Sequence, residues 1–228
     1  MLGAIIATLF LGAFAFADVR TTLARPDAAI NSIPFSTRAF WMRQVNAILV
    51  QSGSPCPFSA FASVIVNHTA PGLGTLVCTG VNSNRQTGDP TLHGEIAAIQ
   101  NCSKVLTDPA GEFRFTPTQA LNAFSQLSLY TNAESCSMCA SAIRWSSFRE
   151  YIFGTSIETL ITAGWGQIRI SSFEVFQQSF ELPSPARLLG NVLTNETDPL
   201  LTWQFNPDAP CPSGCARTRT GSCGPSLV

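Results

Sequence analysis

The chain has 228 residues, 45% of them hydrophobic and only 12% charged, which leaves room for a full hydrophobic core and excludes a disordered or polyampholyte character. Lys and Arg number 13 against 14 Asp and Glu, for a formal net charge of −1, and Lys104 is the only lysine. A basic surface that tracks phosphates is therefore disfavoured, and with it a nucleic-acid partner.

In chain order, the stretch from Leu2 to Phe16 is almost purely apolar and ends at Ala15-Phe16-Ala17. It falls short of the roughly 20 residues of a membrane span and has the small residues of a secretory cleavage site, although a basic n-region is missing. Residues 1–17 are read as a signal peptide and residues 18–35 as a lead-in, so the mature protein is expected to be exported, with no membrane association once the signal is removed. Three Asn-x-Ser/Thr sequons, at Asn67, Asn101 and Asn195, fit that compartment, as do eight cysteines.

Ser36 to Gln51 places Phe40, Trp41, Val45, Ile48 and Leu49 on a broad apolar stripe behind a Ser36 cap, which predicts an amphipathic helix. Phe58 to Asn67 and Leu76 to Val81 read as two strands joined through Pro71-Gly72-Leu73-Gly74, a hairpin. Asp89-Pro90-Thr91 is expected to open a helix that continues through His93, Glu95 and Ile99. Leu127 to Thr131 reads as a buried strand, Ser135 to Trp145 as a helix beginning at the cysteines, Tyr151 to Gly154 as a strand and Ile157 to Ala163 as a helix. Phe173 to Phe180 fits either type. The alternation predicts an α/β sandwich around one sheet over residues 36–182. Residues 183–228, rich in Pro, Gly, Thr and Cys, read as an irregular tail held by disulfides.

Two histidines are present: His68, in a sequon beside a turn, reads as a surface residue, and His93 lies at the inferred helix. His93, Cys136 and Cys139 supply three borderline-soft ligands, and both cysteines lie near helix N-termini, which favour thiolates. Three protein ligands leave one tetrahedral position open, the mark of a catalytic zinc. Glu95, two residues after His93, is placed to be the uncoordinated carboxylate that shuttles protons. Each part alone has a blander reading: His93 as a helix cap, Glu95 as a solvated carboxylate, Cys136 and Cys139 as a disulfide. Their joint occurrence argues against coincidence.

TLHGEIAAI, SLYTNAESCSMCASAIRW, PFSAFASVIVN and GVNSNRQTGDPTLHGE resemble the zinc-binding regions of the cytidine and deoxycytidylate deaminase superfamily, whose signature is His-x-Glu followed by Pro-Cys-x-x-Cys. Met138, Asp89-Pro90-Thr91 and the run from Tyr151 to Ser156 are most similar to the guanine deaminase and tRNA adenosine deaminase branch. The resemblance covers roughly Ser36 to Phe180. It implies a three-layer α/β/α sandwich with a mixed sheet of about five strands, one Zn2+ held by His93, Cys136 and Cys139, Glu95 as the acid/base, and a homodimer. It also implies a contact between Asn82 and the substrate base, for which Asn84 competes and against which stands a plain turn role. The chain departs from the pattern at Gly94 (usually Ala), Ser135 (usually Pro) and Ser137 (frequently Pro). Two classes of function follow. One is a hydrolytic deaminase of a small nitrogenous heterocycle such as guanine or a related base or nucleoside; the other is an exported binding or effector protein that keeps the fold without turnover.

Overall fold

A computed structural model describes residues 29–184 and 186–226. The signal-peptide reading and most of the lead-in lie outside these residues. No described helix is long and apolar enough to cross a membrane.

Helix α1 (Phe35–Ala47) starts behind Pro34 in extended conformation, and Ser36 lies inside the first turn and does not cap it. The Pro34 carbonyl accepts from Thr37 N–H (3.1 Å) and Arg38 N–H (3.3 Å), and the entry has no side-chain cap. Thr37, Arg38, Trp41, Met42 and Val45 form the buried face, and a 3-10 turn (Ile48–Ser52) ends at Gly53 with φ +84°. Strands β1 (Ala62–Asn67) and β2 (Thr75–Val81) form the expected antiparallel hairpin. A short helix α2 (Asn84–Thr87) follows.

Helix α3 (Gly94–Thr107) begins with His93 at its N-cap, later than Asp89-Pro90-Thr91 suggests. The Asp89 carboxylate accepts from both Thr91 N–H (2.8 Å) and Thr91 Oγ1–H (2.6 Å), closing a separate turn ahead of the helix. Helix α4 (Pro117–Ala123) carries a Thr116/Gln119 capping box. Then come β3 (Leu127–Ala133), α5 (Ser137–Trp145) with Cys136 at its N-cap, and β4 (Glu150–Thr155). Helix α6 (Ile157–Thr162) is capped by Ser156, and α7 (Ser172–Gln178) by a Ser171/Glu174 box, which settles the Phe173 to Phe180 stretch as helical. Beyond Pro183 the chain is more regular than its composition suggests: β5 (Arg187–Leu189), α8 (Thr194–Leu201) and a two-stranded ribbon, β6 (Cys215–Arg217) with β7 (Cys223–Pro225).

The five-stranded sheet runs β2-β1-β3-β4-β5, with β2-β1-β3 antiparallel and β3-β4-β5 parallel. Alternate residues of β1 and β3 point to opposite cores. Val64, Val66 and Tyr130 pack with Trp41, Met42 and Val45 of α1, while Ile65 and Leu129 pack with Ala98, Cys102 and Leu106 of α3 and Ile143 of α5. Both faces are covered, which is why β3 and β4 are buried along their whole length. Gly80 makes the α3 contact close: a Cβ there would lie 2.2 Å from the Ala98 nitrogen.

The registers put the start of β1 and the carboxyl ends of β2, β3 and β4 at one edge, through the pairs Ala62↔Val81, Ser63↔Thr131 and Ala133↔Thr155. Chain leaving that edge carries Asn82 and the N-termini of α3 and α5. Ligand sites in α/β sheets lie beyond the strands' carboxyl ends.

Candidate metal centre and active site

His93 and the two cysteines lie far apart in sequence and meet because α3 and α5 both start at this edge. His93 Nδ1 lies 3.7 Å from Cys136 Sγ and 3.7 Å from Cys139 Sγ. All three donor atoms fall within 4.8 Å of one another. A tetrahedral zinc with ordinary bond lengths would separate its nitrogen and sulfur ligands by about 3.6 Å, so the donor set fits the ion in chemistry and spacing. Cys136 and Cys139 are free thiols, whereas the other six cysteines pair as Cys56–Cys215, Cys78–Cys102 and Cys211–Cys223. The tight Cys-x-x-Cys is thus not a disulfide.

The electrostatics favour an anion here. Cys136 is held down to about 4, first by the hydrogen bond it accepts from Cys139 and then by His93, against the opposing effect of burial. Cys139, which gives that hydrogen bond and is deeply buried, is pushed up. His93 is raised, chiefly by its hydrogen bond to Cys136. One thiolate is therefore built into the pair, and a divalent cation would displace the second proton.

Glu95 follows in the first turn of α3 and is 6% exposed. Burial raises its pKa, and the neighbouring Cys136 charge adds to this. The Ser135 hydroxyl beside it pulls the other way, although Ser135 Oγ has no hydrogen-bond partner and is fully buried. A buried carboxyl whose pKa is raised holds a proton more readily than a solvated one, which suits it to proton exchange.

Three further residues shape the centre: Ser135 and Tyr151, whose contact the sequence pattern did not reveal, and Glu134, which it did not single out. The Ser135 N–H donates to Tyr151 Oη (2.7 Å), a bond that a proline at 135 would lack, so the departure from the usual proline has its own local partner. Glu134 is buried and its carboxylate accepts from Ile157 N–H (2.8 Å), Ser172 N–H (2.8 Å) and Ser172 Oγ–H (2.7 Å), fixing the starts of α6 and α7 against the cysteine loop. The run Glu-Ser-Cys held that signal, since a carboxylate next to a metal ligand needs buried partners.

Asn82 sits where β2 leaves the sheet, with its N–H donated to Phe61 O (2.9 Å) and Asn84 N–H donated to its Oδ1 (3.4 Å). It lines a cavity of about 230 Å³, and so does Asn84. Gly94 rests on the same Phe61 segment: a Cβ at Gly94 would be 3.2 Å from Phe61 O.

Residues 36–155, which contain this whole constellation, match the profile of the cytidine and deoxycytidylate deaminase zinc-binding region. The chain belongs to that family. Among relatives of this chain, the guanine deaminase of Bacillus subtilis is 27% identical over 155 residues, 68% of this chain and 84% of that protein. A probable cytosine deaminase of Schizosaccharomyces pombe is 36% identical over 74 residues, a match that spans 32% of this chain and 36% of the yeast protein's length. The fold agrees with solved structures of the family. A guanine deaminase from Nitrosomonas europaea superposes with a TM-score of 0.51 at 16% identity, over 89% of this chain and 99% of that one. A tRNA:A34 deaminase superposes with a TM-score of 0.50 at 20% identity, over 72% and 100%. The mixed five-stranded sheet between helical layers is the family's arrangement.

Proposed function

We propose that this deaminase is a zinc-dependent aminohydrolase that removes an amino group, as ammonia, from a small nitrogenous heterocycle, with guanine-like purines the first class and other amino-substituted bases or nucleosides the second. The observation that carries the reading is the convergence of His93, Cys136 and Cys139 with a buried Glu95 that stands outside the ligand set. A purely structural zinc has no use for such a carboxyl.

His93 Nδ1 and the two sulfurs would hold the zinc, which when bound supplies Lewis acidity toward water. Glu95 takes the proton of the attacking water and delivers it to the ring nitrogen next to the reacting carbon. The water oxygen bonds to that carbon, a second proton passes through Glu95 to the amine, and the C–N bond breaks with release of ammonia. Glu134 and Ser135 hold the cysteine loop in register during these transfers. Asn82 orients the ring by hydrogen bonding. The near-neutral charge and single lysine favour a small molecule over folded RNA, which needs a basic groove. Three disulfides support an exported protein.

The test is ammonia release by purified, zinc-loaded protein over a panel of free bases, nucleosides and a tRNA. The reading expects turnover of at least one free base or nucleoside, abolished by chelation and restored by zinc. Turnover of tRNA alone, with steep salt inhibition, or ammonia from none of the panel would refute it.

A further inference from the structure

The cavity beside Asn82 has a composition that the reaction itself does not require. It lies between the loop ahead of β1 and helix α2, and its lining includes Phe58, Ser59, Asn82, Asn84, Arg85 and Gln86, with no carboxylate. Its volume of about 230 Å³ is below the roughly 300–1,000 Å³ of pockets that enclose a whole drug-sized ligand, so it suits one portion of a molecule. Neither His93 nor Glu95 lines it. Asn82 is one of its lining residues, so a substituent on a ring held by Asn82 can enter it.

Its walls are fixed in advance. Phe58 packs against Trp165, Trp203 and Phe205 at centroid distances of 5.6, 5.9 and 5.7 Å, and its carbonyl accepts from Gln204 Nε2 at 3.0 Å. The Cys56–Cys215 disulfide ties the same loop to the C-terminal segment. Arg85 lies over the Phe58 ring, with its guanidinium carbon 5.3 Å from the centroid, and has no carboxylate partner among the described residues. Stacking on a ring limits the guanidinium's freedom while leaving its N–H fork free, and that fork matches the oxygens of phosphate and carboxylate groups. Serine hydroxyls and side-chain amides around it can donate to the same oxygens.

We infer that this cavity is an anion-accepting subsite, and that the substrate is an amino-heterocycle bearing an anionic arm, a phosphate or a carboxylate, which Arg85 receives while Asn82 holds the ring. The inference rests on the aminohydrolase reading for the ring, whereas the subsite itself can be probed without turnover. Guanine, guanosine, guanosine 5′-monophosphate and cytosine-5-carboxylate are compared with cytosine for ammonia release. In parallel, ribose 5-phosphate and ribose are titrated by ligand-observed NMR against the zinc-loaded protein and its Arg85→Glu variant. Arg85 is on the surface, so the variant should fold. The expected result is kcat/KM at least tenfold higher for an anionic compound than for its uncharged counterpart, an advantage lost in Arg85→Glu. Ribose 5-phosphate, but not ribose, should bind, and at least tenfold more weakly to the variant. Preference for the monophosphate identifies the arm as phosphate, and preference for the carboxylate identifies it as carboxylate. Equal use of charged and uncharged compounds, or an anionic advantage unchanged in Arg85→Glu, overturns the inference. If no compound yields ammonia, the aminohydrolase reading fails, and the NMR titration decides the subsite: Arg85-dependent binding of ribose 5-phosphate upholds it, and absence of binding overturns it.

Discussion

Cys136 and Cys139 differ in environment although they share one turn of chain, since the first is half-buried and drawn toward the thiolate and the second is fully buried and pushed away from it. Thiol counting checks the assignment directly: unfolding in chelator without reductant should expose two reactive thiols per chain, both protected in the folded, zinc-loaded protein. No reactive thiol would mean a Cys136–Cys139 disulfide and would remove the metal centre. His93, Glu95 and the cysteines were legible in the sequence because two adjacent carriers of chemistry recur at fixed short spacing within each segment. Ser135 and Tyr151 were not, because their bond joins separate elements. His68 was legible only as a surface residue, yet it is half-buried, lies 3.0 Å from Tyr130 Oη, and is lowered to about 4, with desolvation the leading cause and Glu150 opposing it. An unfolded histidine titrates near 6.5, so between these values the unfolded chain binds more protons and stability falls as pH drops from about 6.5 to about 4. Allowing for partial solvent screening, the loss should be about 1–2 kcal/mol. Urea midpoints measured across that window should show the slope, and His68→Gln should flatten it; an unchanged slope in the variant would contradict the assignment.

At the level of elements, the hydrophobic periodicity located α1, α3, the hairpin and the β3-α5-β4 unit, but the helix starts shifted wherever a turn had its own hydrogen bonds. The Asp89 turn ahead of α3 and the Pro34 entry to α1 are such cases. Strand β5 was hidden because Arg187 to Leu189, with only two apolar residues, carry no period of their own and form a strand by pairing with β4. The fit of α3 on β2 sets the position of one metal ligand and of the acid/base, since His93 and Glu95 ride on the start of α3. Gly80→Ala would drive a methyl to 2.2 Å from the Ala98 backbone nitrogen, where a flexible side chain is not available to move. The expected cost is about 1–3 kcal/mol of stability, as for other overpacked cores, together with weaker zinc retention. Chemical denaturation and competition with a chromogenic chelator measure the two effects, and retention of both wild-type values would show that α3 is not held by this contact.

Over the whole molecule, a buried ion pair joins the first helix to the middle of the sheet: Arg38 reaches Glu150 at 2.9 and 3.1 Å, and Ser128 Oγ and Asn31 Nδ2 donate to the same carboxylate. Removing one partner strands a buried charge, so Arg38→Met should destabilise the fold by about 3–5 kcal/mol in equilibrium unfolding, and a loss under 1 kcal/mol would contradict this account. Composition forecast the ample core and the cysteines a tail held by disulfides, whereas neither chose Cys56–Cys215, which ties the C-terminal segment to the loop bordering the Asn82 cavity. A disulfide pairing is set by spatial proximity, which spacing along the chain does not encode. The fold brings the starts of α3 and α5 to one edge of the sheet, where His93, Cys136 and Cys139 cluster and Glu95 follows His93 in the first turn of α3. The most direct measurement is therefore ammonia release from a turned-over amino-heterocycle by the wild type and by Glu95→Gln, each with its zinc content determined. The account predicts equal zinc, near one per chain, and a rate lower by about 10²–10⁴-fold in the variant. An undiminished rate in zinc-loaded Glu95→Gln would contradict it.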